Sequence, residues 1–238
     1  MAEDSATRLE ALLAGTTSAN PIARMFGGAA SFFWDAFVAL RVNGITGDYA
    51  EFGCHQAGSF QSAYHAMSAL GSARNMWAFD SWDSLPDDHP LDSHPGWVLG
   101  VGGVGGVDKF HAACERLGVP RDAYTTVEGY YRDTLPPLDA DGAPADIALA
   151  YIDCDLYSST VTVLDFLAPR LKHGMIVAFD DYFCWTPTDA SGERIALHEF
   201  LAKNQQWHFE PYRSIHWSGT SFVVERADAL QAPLSADG

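Results

Sequence analysis

Five short apolar runs, at residues 48–54, 76–80, 124–127, 146–152 and 174–180, alternate with stretches of helical spacing at 59–70, 107–117, 157–172 and 193–203. This alternation constrains the chain more than any other feature. Successive strands joined through helices run parallel, because a parallel connection needs a crossover, and a parallel sheet must be covered on both faces. Two further strand-like runs, 207–212 and 221–225, are linked by the turn-prone segment 214–219, which is too short for a crossover, so they should pair antiparallel at one edge. The expectation is an α/β fold with a mostly parallel sheet.

Segments 5–15 and 21–41 also carry apolar residues at helical spacing, and the second is rich in aromatics (Phe26, Phe32, Phe33, Trp34, Phe37). They predict an N-terminal helical cap over residues 1–46 on a core spanning 47–226. A chain of 238 residues without a low-complexity break is expected to form one domain. The aromatic segment must fold back or pair with a second chain, and a homo-oligomer is expected. Residues 81–106, polar and full of Pro, His and Gly, exceed an ordinary connection and form a candidate lid loop. The β-branched run Ser159-Thr-Val-Thr-Val works against the helix over 157–172.

A net charge of −17 repels nucleic acid and anionic membranes, so neither is expected as a partner, and a neutral or cationic ligand is easier to hold. The opening Met-Ala-Glu-Asp-Ser has no apolar leader core, and no run approaches the ~20 apolar residues that span a bilayer; a cytoplasmic protein is expected. Cys54, Cys114, Cys154 and Cys184 are scattered, without a C-x-x-C pair, and read as free buried thiols.

Open α/β sheets bind ligands outside the carboxyl ends of their strands. The first strand ends Glu51-Phe-Gly-Cys-His-Gln-Ala-Gly-Ser, where Gly53 and Gly58 allow close backbone approach and Glu51 is able to accept from a cationic amine; a plain tight turn with a solvated Glu fits equally. The second ends on Asp80, placed to accept both hydroxyls of a ribose or to cap a loop. Gly100-Val-Gly-Gly-Val-Gly105 matches a dinucleotide fingerprint formally, but no strand precedes it, and it reads as a flexible loop. The sharpest signal is four acids, Asp153, Asp155, Asp180 and Asp181, ending two strands that should be neighbours. Acids brought so close repel unless a hard cation such as magnesium, which takes oxygen ligands, sits between them. Capping of the following helices is the plainer alternative. His89 and His94 lie between prolines and read as solvated, while Tyr130, Tyr131, Trp82, Trp97 and Trp185 fit either a core or a stacking platform.

Together these stretches resemble the macrocin O-methyltransferase family, magnesium-dependent enzymes that methylate sugar hydroxyls with S-adenosylmethionine. The residues that carry the resemblance are Gly47-Asp-Tyr-Ala-Glu-Phe-Gly with Gly58-Ser, Phe79-Asp-Ser-Trp-Asp-Ser-Leu-Pro, Gly129-Tyr-Tyr-Arg-Asp-Thr-Leu-Pro, Asp153-Cys-Asp-Leu-Tyr-Ser-Ser-Thr, Asp180-Asp-Tyr and Gly192-Glu-Arg-Ile-Ala, in order over residues 47 to about 200. The resemblance implies a Rossmann-like class I methyltransferase fold with a seven-stranded sheet. It places Glu51, Gly53, Gly58, Ser59, Asp80, Ser81, Glu128 and Gly129 around the methyl donor, makes Asp153, Asp180 and Asp181 metal ligands, and makes Asp155 the base. Trp82 stands where the family has Phe, and His173-Gly174 where it has a glycine pair.

The implied mechanism has two neighbouring acceptor hydroxyls chelated by the metal, with Asp155 removing one proton. The acceptor would be an antibiotic glycoside or a polysaccharide precursor. A catechol acceptor offers the same chelating pair. A haloacid-dehalogenase-like phosphatase shares the Asp-x-Asp and later Asp-Asp, but its nucleophile ends the first strand of its domain, and the interval from Asp153 to Asp180 leaves no room for its Ser/Thr and Lys elements. A non-catalytic nucleotide-binding module would not retain four acids at one edge.

Overall fold

The computed structural model describes residues 2–230 except 73, 87, 88, 98–102, 104 and 142. Its strands are β1 (Asp48–Phe52), β2 (Met76–Asp80), β3 (Tyr124–Glu128), β4 (Ile147–Ile152), β5 (Ile176–Phe179), β6 (Trp207–Ser214) and β7 (Thr220–Arg226). Its α-helices are α1 (Ala2–Leu13), α2 (Pro21–Val42), α3 (Gly58–Ala69), α4 (Val107–Arg116), α5 (Tyr131–Asp141), α6 (Tyr157–Leu167) and α7 (Gly192–Lys203).

The strands form one sheet in the order β3-β2-β1-β4-β5-β7-β6. The first five pair in parallel, and β7 runs antiparallel to both β5 and β6. This is the expected mostly parallel sheet with an antiparallel edge hairpin. The order reverses between β1 and β4, so the crevice for a ligand opens over their carboxyl ends.

Both faces of the sheet are covered, which is why β4 has every residue buried and no polar alternation. On one face Phe33 of α2 lies 5.1 Å from Tyr151 and 5.7 Å from Tyr49, between ring centroids. On the other, Phe52 and Phe79 stack at 4.7 Å and Phe166 of α6 closes over them. The aromatic segment therefore folds back on its own sheet: Phe32, Phe33 and Phe37 are buried, while Ile22, Met25 and Phe26 near its start stay exposed. The expectation that no run is long enough to span a bilayer needs correction. Ile22–Val42, 21 residues with mean hydropathy 1.2, passes that test by length and composition, but here it lies along the sheet with its aromatic stripe in the core.

Two differences from the sequence reading, and one agreement reached against local propensity, have physical causes. Helix α5 was not expected, because Pro136 and Pro137 lie inside it; proline lacks the donor that a helix interior uses. Helix α6 forms despite its β-branched run, since Thr160 and Thr162 donate their hydroxyls to the carbonyls of Leu156 and Ser158, at 2.7 and 3.0 Å. It stops at Leu167, continuing as a short 3₁₀ turn through Pro169 to Arg170, and not at 172.

Candidate active site

The backbone ladder continues one residue past the strands and fixes where their terminal acids emerge. Asp153 N–H donates to Phe52 O (2.8 Å), Asp180 N–H to Ile152 O (2.9 Å), Gly53 N–H to Phe79 O (2.8 Å) and Gly129 N–H to Asp80 O (2.9 Å). Asp153 and Asp180 therefore leave adjacent strands side by side. Gly53, at φ +94°, passes so close to Asp153 that a Cβ would run into its carbonyl oxygen, so only glycine fits. Asp155 sits at φ +61°, a left-handed conformation that costs a non-glycine residue strain and re-aims its side chain just before α6.

Carboxylate oxygens of Asp153, Asp155 and Asp181 lie within 4.8 Å of one another. Asp155 and Asp181 face each other closely, and two carboxyl groups so placed repel unless a proton or a cation lies between them. Burial, then the charges of Asp180, Asp181, Asp155 and Glu193, hold the Asp153 carboxyl well above the ordinary carboxylate range. Burial and neighbouring Asp181 do the same to Asp155. Asp180 stands beside this trio, with Oδ1 accepting from His216 Nε2 at 2.8 Å and from the Tyr151 hydroxyl. Glu193 is fully buried under the group; its Oε2 accepts from Asp181 N–H at 2.9 Å, and its Oε1 has no partner among the described residues. Five carboxyl groups, of which Asp181 and Glu193 are buried and the others partly so, thus crowd one place. Oxygen-only donors, mutual repulsion and an orphaned carboxylate oxygen fit a hard divalent cation such as magnesium.

Two cavities meet at Asp155. The larger, about 550 Å³, runs over the tips of β1, β2 and β3 and is lined by Gly53, Asp80, Ser81, Gly129, Asp153 and Asp155, with Trp97, Tyr130 and Tyr131 on its wall. The smaller, about 250 Å³, lies between residues 90–97 and 184–195 and includes Asp92, His94, Trp97, Asp155, Cys184 and Ser191. The described part of the 81–106 loop is pinned to the start of α6: Asp92, 1% exposed, accepts from Ser158 N–H (2.9 Å) and Ser158 Oγ (2.6 Å). His89 packs on Tyr157 and His94 on Trp97, each at 4.9 Å. Most of the Gly100–Gly105 match falls outside the described residues.

Of the eight residues placed around a methyl donor by resemblance, Gly53, Asp80, Ser81 and Gly129 line the larger cavity. Glu51 does not: it is fully buried, accepting from Ser59 Oγ at 2.6 Å and from the Tyr49 hydroxyl. Ser59 is thereby turned toward Glu51, Gly58 lies against Phe26, and Glu128 accepts from Val107 N–H at the start of α4. Asp80 has three donors already, Cys54 N–H and His55 N–H on Oδ2 and Trp82 N–H on Oδ1. Trp82 is core, packed on Phe110, whereas Trp185 is 60% exposed.

His216 and Glu193 went unassigned in the sequence. His216 comes from the β6–β7 turn, 36 residues beyond its partner Asp180, and no local pattern marks it. Glu193 had a signal, since Ser191 two residues earlier is an N-cap that places Glu193 in the first turn of α7, at the strand ends.

A model of the family described as macrocin-O-methyltransferase (TylF) matches residues 31–223. The chain belongs to this family. It is 35% identical over 152 residues to the 8-demethyl-8-(2,3-dimethoxy-alpha-L-rhamnosyl)-tetracenomycin-C 4'-O-methyltransferase of Streptomyces olivaceus, covering 59% of this chain and 54% of that one. It is 29% identical over 153 residues to the mycinamicin III 3''-O-methyltransferase of Micromonospora griseorubida, covering 60% and 58%. The chain thus matches little more than half the length of these curated relatives. The solved O-methyltransferase NovP superposes with a TM-score of 0.67 at 23% identity, over 84% of this chain and 81% of that one, and shares the fold. The macrocin-O-methyltransferase match spans every element that carries an acid of the site, from β1 to α7.

Proposed function

We propose that this macrocin-O-methyltransferase family member transfers the methyl group of S-adenosylmethionine to a hydroxyl of a sugar, with a divalent metal, magnesium, at the acidic centre. The observation that carries the reading is Asp155, set in a strained conformation on the wall shared by a cavity large enough for a nucleoside and a smaller one sized for a single sugar ring. The two relatives are named for a rhamnosyl-tetracenomycin and for mycinamicin III, and the rhamnosyl group of the first supports a sugar.

In this reading Gly53, Ser81 and Gly129 border the donor, Asp80 holds the β1 and β2 loops in shape beneath it, and Tyr130 and Tyr131 supply flat apolar surface. Glu51, Gly58, Ser59 and Glu128 support that cavity from behind. S-adenosylmethionine brings the activated methyl group. Asp153, Asp180 and Asp181 would hold magnesium, which polarises an acceptor hydroxyl and lowers its pKa. Asp155 accepts that hydroxyl proton on a carboxylate oxygen as the oxygen takes the methyl group and the sulfonium leaves as a neutral thioether. Burial raises the basicity of Asp155 and suits it to this role. Asp92 and Trp97 keep residues 90–97 over the reacting atoms and limit water there. The acidic chain suits a cationic donor.

We place the protein in the cytoplasm, where its four buried free cysteines remain reduced. Exposed Ile22, Met25 and Phe26 favour a homo-oligomer. The test is calorimetric titration of S-adenosylmethionine and of Mg²⁺, followed by a panel of sugars, glycosides and catechols. Methylated glycosides that disappear on chelation support the reading. Phosphate release from generic phosphoesters, or binding without any methylation, overturns it.

A further inference from the structure

We infer that His216 is a positioning residue for the acidic centre: it ties one oxygen of Asp180 so that the other is presented to a cation. The inference rests on the metal-assisted reading above.

Asp180 has one oxygen, Oδ1, engaged twice, by His216 Nε2 at 2.8 Å and by the hydroxyl of Tyr151. With both bonds on Oδ1, the carboxylate cannot rotate about its terminal torsion without losing them, and Oδ2 is left without a protein donor among the described residues. The imidazole is itself set from behind. Ser218 N–H, which can only donate, approaches Nδ1 at 3.4 Å, and Ser218 Oγ lies 3.1 Å from the same atom. Nδ1 acting as acceptor puts the ring proton on Nε2, the atom facing Asp180.

The turn carrying His216 is fixed to the site and to the N-terminal helices. Ser218 is buried, and its carbonyl accepts Phe183 N–H at 2.8 Å, joining the β6–β7 turn to the segment after Asp181. Ile215 N–H donates to Gly219 O at 3.0 Å. A Cβ at Gly28 of α2 would meet the Ile215 carbonyl oxygen at 2.5 Å. The His216 side chain is only 7% exposed, so water offers it little competition for Asp180. Partners of this kind behind a metal-binding carboxylate fix its orientation, and their loss costs about 10–100-fold in metal affinity.

The experiment is Mn²⁺ binding, by calorimetry and by electron paramagnetic resonance of the free ion, without cofactor or acceptor, to wild type, His216→Ala, His216→Gln and Trp217→Ala. Thermal unfolding in chelator checks that each variant is folded. The inference expects wild type to bind, His216→Ala to bind about 10–100-fold more weakly, His216→Gln to recover most of the loss because its amide still donates, and Trp217→Ala, an exposed side chain of the same turn, to match wild type. Equal affinity in wild type and His216→Ala overturns the role of His216 and leaves the metal site standing. Equal loss in the Gln and Trp217 variants also overturns it, since turn packing would then be the cause. Absence of Mn²⁺ binding in wild type overturns the metal reading and this inference with it.

Discussion

Acids end strands on both halves of this sheet, and the two halves treat them in opposite ways. At β1 and β2, protein donors engage both oxygens of each carboxyl: Glu51 accepts from Ser59 and Tyr49, and Asp80 accepts three backbone N–H groups that shape the loops after those strands. At β4 and β5 the acids face one another, with only Oδ1 of Asp180, held by His216 and Tyr151, and Oδ1 of Asp181, held by Cys184, taking side-chain donors among the described residues. Asp153 has four acidic neighbours and, among the described residues, no donor against its side chain, and Asp155 meets Asp181. Acids satisfied by their own loops are structural, whereas acids left facing one another are waiting for a ligand. Removing a satisfied acid strands its donors and costs stability, whereas removing one of the crowded acids relieves repulsion and costs function.

The largest effect separating the two halves should be catalytic. Asp153→Ala is expected to lower methyl transfer by about 10³-fold, the several kcal/mol that a bound metal contributes, while melting at the same or a higher temperature than wild type in chelator. Turnover and melting curves on the same samples check both parts. Asp155→Asn should lower the rate by about 10²–10⁴-fold, the range for losing a general base, and leave S-adenosylmethionine affinity within about twofold, within the usual scatter of such differences. A loss of donor binding equal to the loss of rate would move Asp155 from acid–base chemistry to cofactor binding.

Asp80→Ala should show the opposite balance. Three backbone N–H groups lose their acceptor, and unfolding free energy should fall by about 2–4 kcal/mol in denaturant titrations. If Asp80→Ala unfolds like wild type but binds S-adenosylmethionine weakly, Asp80 belongs with the ligand-facing acids.

The smallest effect concerns Glu51. Burial pushes its carboxyl up to about 8, against hydrogen bonds from Ser59 and Tyr49 that pull it down. The fold therefore keeps a proton that the unfolded chain releases near 4.5, so stability from this group is full below that value and is lost as pH rises toward 8. Wild type should lose a few degrees of melting temperature relative to Glu51→Gln across that window. Parallel curves for the two proteins would contradict the assignment.

The contrast between the halves also explains what the sequence could reveal. Strand identity and order were legible because parallel strands buried on both faces read as apolar runs, and the acids at 153, 155, 180 and 181 were legible because they follow two such runs directly. Glu51 and Asp80 looked the same in sequence as Asp153, since an acid at a strand end carries no mark of whether Ser59, Cys54 and His55 have already claimed it. His216 and Glu193 were missed because what makes them functional is contact across 36 and 12 residues. Helix α5 was hidden by Pro136-Pro137, whose missing donors matter less within an 11-residue helix that packs against α6 and caps the cavity with Tyr131.

The central claim is that the β4–β5 acids share protons until a divalent cation replaces them. Calorimetric titration of Mg²⁺ into metal-free protein at neutral pH, repeated in buffers of different ionisation enthalpy, tests it directly. Proton release on binding in wild type, seen as a heat that changes with the buffer and disappears in Asp153→Ala, is the expected result. Absence of binding, or a heat independent of the buffer and unchanged in Asp153→Ala, would contradict it.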